Sequence, residues 1–343
     1  MRMLALVLAL GVVVAGCSGD GDGSTGEAAG GKDSGTEQRP VEDELGHQAF
    51  QPSTRLVVPA GKGMPLDRAA RVLAGLAEGP LGTRLFVDQR PGGGGQRAWR
   101  DVADEEPGAR QLAYVTEGLL AADGAEAGVG TGDFEVAART DEGFAVLVAK
   151  GDPEVETLQW EDLETFGDFA RAAEEDPGFV EVADPGAGTV FRAGTLALEE
   201  ELGADLSPKS PKRKGPIQAI YDAEVEAALV PLDAVVFSEV LSGELAALAV
   251  LSEERCPELP GVPTAGELGY DVEVPVFGGI AAPARTPQDV VEELGRAFVE
   301  ASSSRTFGRA LVGSERVPAP MGTREFADYV EKQERRLSEP DGG

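Results

Sequence analysis

Short apolar runs alternate with longer amphipathic segments from residue 55 onward. A run such as Leu56-Val57-Val58 fits a buried strand, whereas residues 66–78 carry apolar side chains every three or four positions and fit a helix. Further strands at 83–88 and 111–116, with a short helix at 96–103 between them, complete a βαβαβ order. This order predicts an α/β protein with a mostly parallel sheet that is covered by helices on both faces.

The second half of the chain repeats this organisation. Strands are expected at 134–139 and 144–149, and the second of them passes into a new lobe near Lys150. A strand at 274–281 then leads back to the first lobe. The other predicted elements are helices at 163–174, 191–202, 265–268, 287–302, 305–311 and 323–337, strands at 180–183 and 245–251, and a helix followed by a strand over 220–232. The expected parts are a signal peptide at 1–16, a tether at 17–52, lobe 1 at 53–150 with 275–343, and lobe 2 at 151–274.

The first residues are typical of an exported protein. Arg2 precedes an apolar run at 3–14, which is too short to span a bilayer and has the length of a signal-peptide core. The run ends in Val14-Ala15-Gly16-Cys17, which resembles a bacterial lipobox. This resemblance implies that Cys17 is acylated, which would hold the protein by lipid on the extracytoplasmic face of the cell membrane. An ordinary cleaved signal peptide is the alternative.

The segment after Cys17 and the remaining cysteine offer little chemistry. Residues 18–51 are rich in Gly, Ser, Asp and Glu, and we expect a disordered tether there. The single histidine, His47, falls in this tether, so a catalytic role for it is not expected. With Cys17 acylated, Cys256 has no partner for a disulfide.

The chain is strongly acidic. It has 61 Asp and Glu against 30 Lys and Arg, with a formal net charge of −31. This balance argues against nucleic acid as a partner, because binding to phosphate backbones needs basic patches. An anionic ligand must therefore be attracted by local groups against the field of the whole chain.

Two glycine-containing loops are the candidate binding elements. The first follows the strand at 56–58 and carries Gly61, Lys62 and Gly63 before a helix with Pro65 at its start. The second, at 184–189, reads DPGAGT and also lies between a strand and a helix. Unpartnered backbone N–H groups at such places attract anions, and two of these loops facing each other would clamp a small ligand. An ordinary βα turn is the alternative reading of either loop.

An ordered set of motifs resembles the TctC or Bug-like solute-binding proteins of tripartite tricarboxylate transporters. The segment VPAGKGMPLDRAAR at 58–71 is similar to the family's first loop, VPFxPGGxxDxxAR, and VDQRPGGGG at 87–95 is similar to its next landmark. The late segments are GELAALAV at 243–250, RCPELPGVPT at 255–264 and FGGIAAPARTP at 277–287. The resemblance covers nearly everything after Arg55, in the family's order.

The resemblance implies a two-lobed periplasmic-binding-protein fold, type II-like, with two crossovers. It also implies a small organic anion or amino acid as ligand, and a membrane permease with one large and one small subunit as partner. We expect a monomer with no cofactor and no metal, and not an enzyme. The residues implied in ligand binding, from the two loops and from charged positions near them, are Ala60, Gly61, Lys62, Gly63, Asp67, Asp184, Gly186, Gly188, Thr189, Arg192 and Arg213.

Some of these positions depart from the family pattern. Ala60 replaces an aromatic residue, and Met64 replaces the second glycine of a pair. Arg192 and Arg213 fall where the family has His and Tyr, so both changes add positive charge. The hypothesis is that one of these arginines pairs with a carboxylate of the ligand.

Two other functions stay open at this stage. Gly93, Gly95 and Ala98, with Glu117 further on, form a loose dinucleotide-binding pattern, although the helix that follows is short for such a fold. A receptor that presents ligand to a membrane sensor needs the same two lobes as a transport receptor. In either binding role we expect the lobes to rotate about crossovers near residues 149–151 and 274–277.

Overall fold

The computed structural model describes residues 53–121, 128–151, 163–211 and 214–338, and these residues form two β-sheets with flanking helices. The strands are β1 (Ser53–Val58), β2 (Arg84–Gln89), β3 (Gln111–Thr116), β4 (Phe134–Glu142), β5 (Ala145–Lys150), β6 (Val182–Ala183), β7 (Ala227–Pro231), β8 (Leu245–Val250), β9 (Phe277–Pro283) and β10 (Val317–Met321). The α-helices are α1 (Pro65–Leu81), α2 (Gln96–Ala103), α3 (Phe166–Glu175), α4 (Val190–Leu202), α5 (Pro216–Tyr221), α6 (Ala234–Ser242), α7 (Gln288–Ser302), α8 (Arg305–Ala310) and α9 (Thr323–Ser338).

The first sheet has six strands in the order β10-β4-β9-β3-β1-β2. β1 pairs in parallel with both β2 and β3, with Val58 opposite Gln89, so the carboxyl ends of these three strands lie at one edge. α1 packs against β1, β2 and α7. Its buried face is largely alanine, including Ala69, Ala70 and Ala77. Such small side chains allow the helix to approach its neighbours closely.

The second sheet has four strands in the order β6-β7-β5-β8. β6 runs parallel to β7, and β5 pairs antiparallel with both β7 and β8. The register places Ala145 opposite Pro231 and Val146 opposite Val250, so β7 and β8 end at the edge where β5 begins. Helices α4 and α5 pack against β7, and α3 and α6 pack against β8.

Two crossovers join the sheets. The chain leaves the first sheet after β4 through Gly143 and Phe144, and it returns through Pro275 and Val276 into β9. The crossovers lie side by side, because the Gly143 N–H donates a hydrogen bond of 2.9 Å to the Val276 carbonyl. The expectation of an α/β fold with two crossovers is confirmed.

Two details differ from the expectation. The predicted division places the strand at 144–149 in lobe 1, but β5 pairs within the second sheet, so the change of sheet occurs at Gly143. The sheets are also mixed instead of mostly parallel, since β3–β9, β4–β9, β4–β10, β5–β7 and β5–β8 are all antiparallel. The crossovers explain part of this arrangement. A strand that enters a sheet at the edge where its neighbour leaves must run in the opposite direction.

Candidate functional site

Both glycine loops lie at the sheet edges that the crossovers connect. The first loop, residues 59–64, follows β1 at the edge where β4 leaves the first sheet and β9 enters it. The second loop, residues 184–189, follows β6, which runs parallel to β7 toward the edge where β5 enters the second sheet. The pairing of the strands therefore directs both loops toward the junction of the two sheets.

Asp67 organises the first loop. It lies in the first turn of α1 and its side chain is 2% exposed. Its carboxylate accepts hydrogen bonds from the Gly63 N–H at 2.8 Å, from Gln89 Nε2 at 2.6 Å and from Arg71 Nε at 3.2 Å. Gly63 has a φ of 82°, which a residue with a side chain adopts at a cost. Asp67 thus fixes the loop from beneath.

These contacts change the acidity of Asp67. Burial by itself would raise the pKa of the carboxyl, but the hydrogen bonds from Gly63, Gln89 and Arg71 outweigh it, and the pKa lies below its ordinary value. The ionised form is therefore the one that supports the loop.

Asp184 plays the corresponding part in the second loop. It is 1% exposed, and its carboxylate accepts hydrogen bonds from the Gly186 N–H at 2.8 Å and from Arg192 Nε at 2.5 Å and Nη2 at 3.1 Å. Thr189 is the N-cap of α4: its hydroxyl accepts the Arg192 N–H at 3.2 Å and donates to the Gly186 carbonyl at 2.7 Å. Each loop is thus held by a buried aspartate that binds one glycine N–H and one arginine.

Both loops leave backbone donors available. Within the described part of the chain, the N–H groups of Gly61 and Lys62 in the first loop and of Ala187 and Gly188 in the second have no hydrogen-bond partner. The partners of Gly63 and Gly186 hold the loops in shape, so the free groups are set in position before any ligand arrives. N–H groups of this kind form a site for an anion.

A third glycine segment, residues 92–95, follows β2 at the same edge as the first loop. All four glycines have positive φ, between 62° and 117°. A Cβ on Gly95 would lie 2.4 Å from the Trp99 ring, which is fully buried and donates Nε1–H to the Tyr114 carbonyl at 3.0 Å. Because Trp99 fills the space behind this turn, the dinucleotide pattern at Gly93 and Gly95 has a packing explanation.

The predicted charged residues have different surroundings. The Arg192 guanidinium is bound to Asp184 and donates to Ser210 Oγ at 2.9 Å, so in this structure it supports the loop. Lys62 is exposed and has no ion pair among the residues that the structure describes. Arg213, Cys17 and His47 lie outside the described residues. Gln89 was missed by the sequence reasoning. Two signals could have found it: its position at the end of a predicted strand, and its place in the family-like segment VDQRPGGGG at 87–95.

The described residues lack two features that would indicate other functions. Within the described residues no group of three or more His, Cys, Asp or Glu side chains is arranged to hold a metal ion. No helix in this part of the chain is both long enough and apolar enough to cross a membrane.

Comparison with known proteins identifies the family. Residues 69–339 match the family model described as "Tripartite tricarboxylate transporter family receptor", named TctC. The chain belongs to this family. The matched residues include the second loop and begin just after the first, and the recognition from the motifs is confirmed. Members of the TctC family are extracytoplasmic solute-binding proteins, and the α/β solute-binding fold expected from the resemblance is confirmed as well.

Individual relatives agree with the family assignment. The chain is 27% identical over 293 residues to protein BugT of Bordetella pertussis. The aligned residues cover 81% of this chain and 86% of BugT. A TctC solute-binding protein from Polaromonas, solved without ligand, superposes with a TM-score of 0.69 at 23% identity and covers 83% of this chain and 96% of that one. MatC of Rhodopseudomonas palustris, solved with bound malate, gives 0.62 at 24% identity, with coverage of 84% and 98%.

Proposed function

We propose that this TctC-family protein captures a small carboxylate between its two glycine loops and delivers it to a tripartite tricarboxylate permease with a large and a small subunit. The observation that carries the proposal is the placement of both loops at the joined sheet edges, each with free N–H groups and a buried aspartate beneath it. Backbone N–H groups suit a carboxylate because they need no basic side chain in a chain with a net charge of −31. The bound malate in MatC is consistent with this ligand class.

The residues proposed to contact or support the ligand are those of the two loops. Gly61, Lys62, Ala187 and Gly188 supply N–H groups, and Ala60 and Thr189 border them. Asp67, Asp184 and Arg192 support the loops. Arg213 follows the second loop in the chain and remains a candidate partner for a second carboxylate.

A thermal-shift screen of dicarboxylates, tricarboxylates, amino acids and aromatic acids tests the ligand class. A true ligand binds only the folded protein and therefore raises the melting temperature. At a ligand concentration of about a hundred times Kd, the free energy of unfolding rises by roughly 2.7 kcal/mol. Titration calorimetry then gives the affinity. If no carboxylate stabilises the protein while a neutral or cationic solute does, the proposed ligand class is wrong.

Thr189→Ala tests whether the second loop takes part in ligand binding. Loss of the cap and of the bond to Gly186 should free the loop and weaken affinity about fivefold, since a cap is worth about 1 kcal/mol. Ser304→Ala is the matched control, because Ser304 caps α8 through the Phe307 N–H at 3.1 Å and lies outside both loops. The control should lose similar stability with unchanged affinity. If the two variants bind the ligand with equal affinity, Thr189 does not contribute to the binding site.

We also propose that Cys17 anchors the protein to the membrane by lipid. Growth of an expressing bacterium with an alkyne fatty acid should label the full chain, and labelled protein should partition into detergent. Cys17→Ser should abolish both the label and the partitioning. A labelled Cys17→Ser chain, or an unlabelled and soluble parent chain, would contradict the anchor.

A further inference from the structure

A polar cluster whose centre is buried lies on the first-sheet side of both crossovers. We call it the crossover cluster, and its members are Tyr114, Glu117, Thr140, Asp141 and Arg316. None of these residues belongs to the two glycine loops, and the proposed binding function leaves the cluster without a role.

Asp141 is the centre of the crossover cluster. It is fully buried, two residues before Gly143 at the first crossover. Its carboxylate accepts hydrogen bonds from the Tyr114 hydroxyl, from Thr140 Oγ1 at 2.7 Å and from Arg316 Nε at 2.5 Å. The end of β4 is thereby attached to β3 and to the segment that precedes β10.

β9 passes directly over this cluster. A Cβ on Gly278 would lie 2.3 Å from the Tyr114 hydroxyl and 2.5 Å from Asp141 Oδ2, so only glycine fits there. The Phe277 N–H, at the second crossover, donates to Glu117 Oε2 at 3.3 Å. One carboxylate therefore holds the first-sheet end of each crossover, Asp141 for the first and Glu117 for the second.

Arg316 is the cation that pairs with Asp141 in this cluster. Its Nε bonds Asp141 directly, and although burial by itself would lower the pKa of Arg316, the negative charges of Asp141 and, at longer range, of Glu117 raise it. A Cβ on Gly143 would lie 3.3 Å from its Nη1, so the guanidinium also borders the first crossover. Its Nη2 is buried and has no hydrogen-bond partner. The two N–H donors of this atom thus remain available for a different position of the crossovers.

Space for movement lies beside the crossovers. A cleft of ≈ 450 Å³ is lined by Gly143, Phe144 and Val276 of the crossovers, by Glu254 after β8 and by Tyr329 of α9. The cleft therefore separates parts that follow the first sheet from parts that follow the second. A rotation of the sheets would open or narrow this cleft.

We propose that Arg316 is a positioning residue for lobe rotation, which holds the first-sheet end of the first crossover through Asp141, while Glu117 holds that of the second through the Phe277 N–H, so that the bending is confined to residues 143–144 and 275–276. This inference rests on the proposed binding function, for which lobe closure is the expected mechanism. Because the end of β4 and the start of β9 are fixed, the lobes would move between two defined positions when they close. Without Arg316 the end of β4 would bend as well, and the lobes would sample a wider range of separations.

Pulsed dipolar EPR on the full chain measures this range without any ligand. Spin labels are attached to two introduced cysteines, Arg68→Cys on α1 and Glu200→Cys on α4, in a chain that also carries Cys17→Ser. Both positions are exposed, and the two helices pack on different sheets. Cys256 stays unlabelled, because it is buried and burial raises the pKa of its thiol to about 11.

Arg316→Met is the main variant. We expect its distance distribution to be roughly twofold broader than that of the parent, with Arg316→Lys closer to the parent because it retains the charge. Arg309→Met removes the same charge from an exposed position on α8 and is the matched control, with an unchanged distribution expected. All samples are measured well below their melting temperatures, so a loss of stability by itself does not broaden the distribution.

Glu117→Gln provides an independent test where Arg316→Met fails to fold. It keeps the shape and the acceptor for the Phe277 N–H and removes only the charge, so a smaller broadening is expected. Parent-like distributions in both folded variants, or equal broadening in Arg309→Met, would overturn the inference. Because these distributions are recorded without ligand, failure of the carboxylate screen leaves the outcome interpretable. If the protein binds a carboxylate but the distance distributions of the variants match that of the parent, the role of Arg316 is rejected and the proposed binding function stands.

Discussion

At the scale of single residues, buried carboxylates determine the local geometry. Asp67, Asp184 and Asp141 are each at most 2% exposed, and each binds at least one arginine. Two of them also accept the N–H of a loop glycine, at Gly63 and Gly186. Burial of a charge is tolerated only with such partners, so each aspartate specifies one arrangement of the chain around it.

The pKa of Asp67 predicts how the first loop responds to acid. Because folding lowers this pKa, Asp67 contributes stability above its ordinary pKa and loses it as the pH falls through the lowered value. Asp67→Asn should therefore cost about 1–3 kcal/mol of unfolding free energy at neutral pH, and the difference from the parent should shrink as the pH falls below the ordinary pKa of an aspartate and through the lowered pKa of Asp67.

Urea denaturation at several pH values measures this difference. Asp88→Asn is the control, because Asp88 lies beside Gln89 in a partly exposed pair with Arg90 at 3.1 Å and should change stability little. A constant difference between parent and Asp67→Asn at all pH values would show that the lost charge is not the cause.

Arg192 and Asp184 should behave as a coupled pair in stability. Arg192→Met leaves a fully buried carboxylate with only the Gly186 N–H, and we expect a cost of about 3 kcal/mol. Asp184→Asn in the same chain should recover part of this loss, which a double-mutant cycle by urea denaturation will show. Strictly additive losses would contradict the coupling. Loss of ligand affinity in Arg192→Lys without loss of stability would instead favour direct pairing of Arg192 with the ligand.

At the scale of elements, the unit of construction is a strand, a glycine turn and a helix. It occurs after β1, β2 and β6, and in each case glycines with positive φ make the turn. The turn after β2 is also fixed by packing, since Trp99 of α2 occupies the side-chain space of Gly95. Position 95 therefore requires glycine for two reasons, the positive φ of its backbone and the close packing of Trp99.

Substitution of the glycines in this turn separates packing from backbone conformation. Gly95→Ala meets both a φ of 103° and the Trp99 ring, so it should cost about 3 kcal/mol or more. Gly94→Ala has a φ of 62° and no atom within 4 Å of the new Cβ, so only backbone strain of about 1–2 kcal/mol is expected. Thermal and urea unfolding give both values. Equal costs would mean that Trp99 moves aside freely.

At the scale of the whole molecule, two sheets joined by paired crossovers allow closure. The Gly143–Val276 hydrogen bond keeps the connections together, and the loops lie at the edges that meet there. Small-angle scattering of the full chain should show the radius of gyration falling by on the order of 1 Å with a saturating carboxylate from the screen. An unchanged radius with a calorimetrically proven ligand would contradict closure.

The sequence alone determined the local units of this protein. Apolar periodicity, glycines and prolines act within a few residues, so the strand at 56–58, the helix from Pro65 and both glycine loops were predictable. The order of the motifs also identified the family. Helix α6 was not predicted, because its run AVVFSEVL is apolar on nearly all sides although Val235 and Leu241 are exposed. The sequence pattern of α6 therefore did not correspond to a single buried face.

Only the tertiary structure decided which distant residues meet. Gln89 reaches Asp67 across 22 positions, and Arg316 reaches Asp141 across 175. The same holds for strand direction, because β9 becomes antiparallel to β3 and β4 only after the chain has built the second sheet and returned. Periodicity records which face of an element is buried, but it does not record what covers that face. The candidate loops and their aspartates, Asp67 and Asp184, were therefore readable from the sequence, whereas the contacts by which these aspartates hold the loops and the pairing of Arg316 with Asp141 were not.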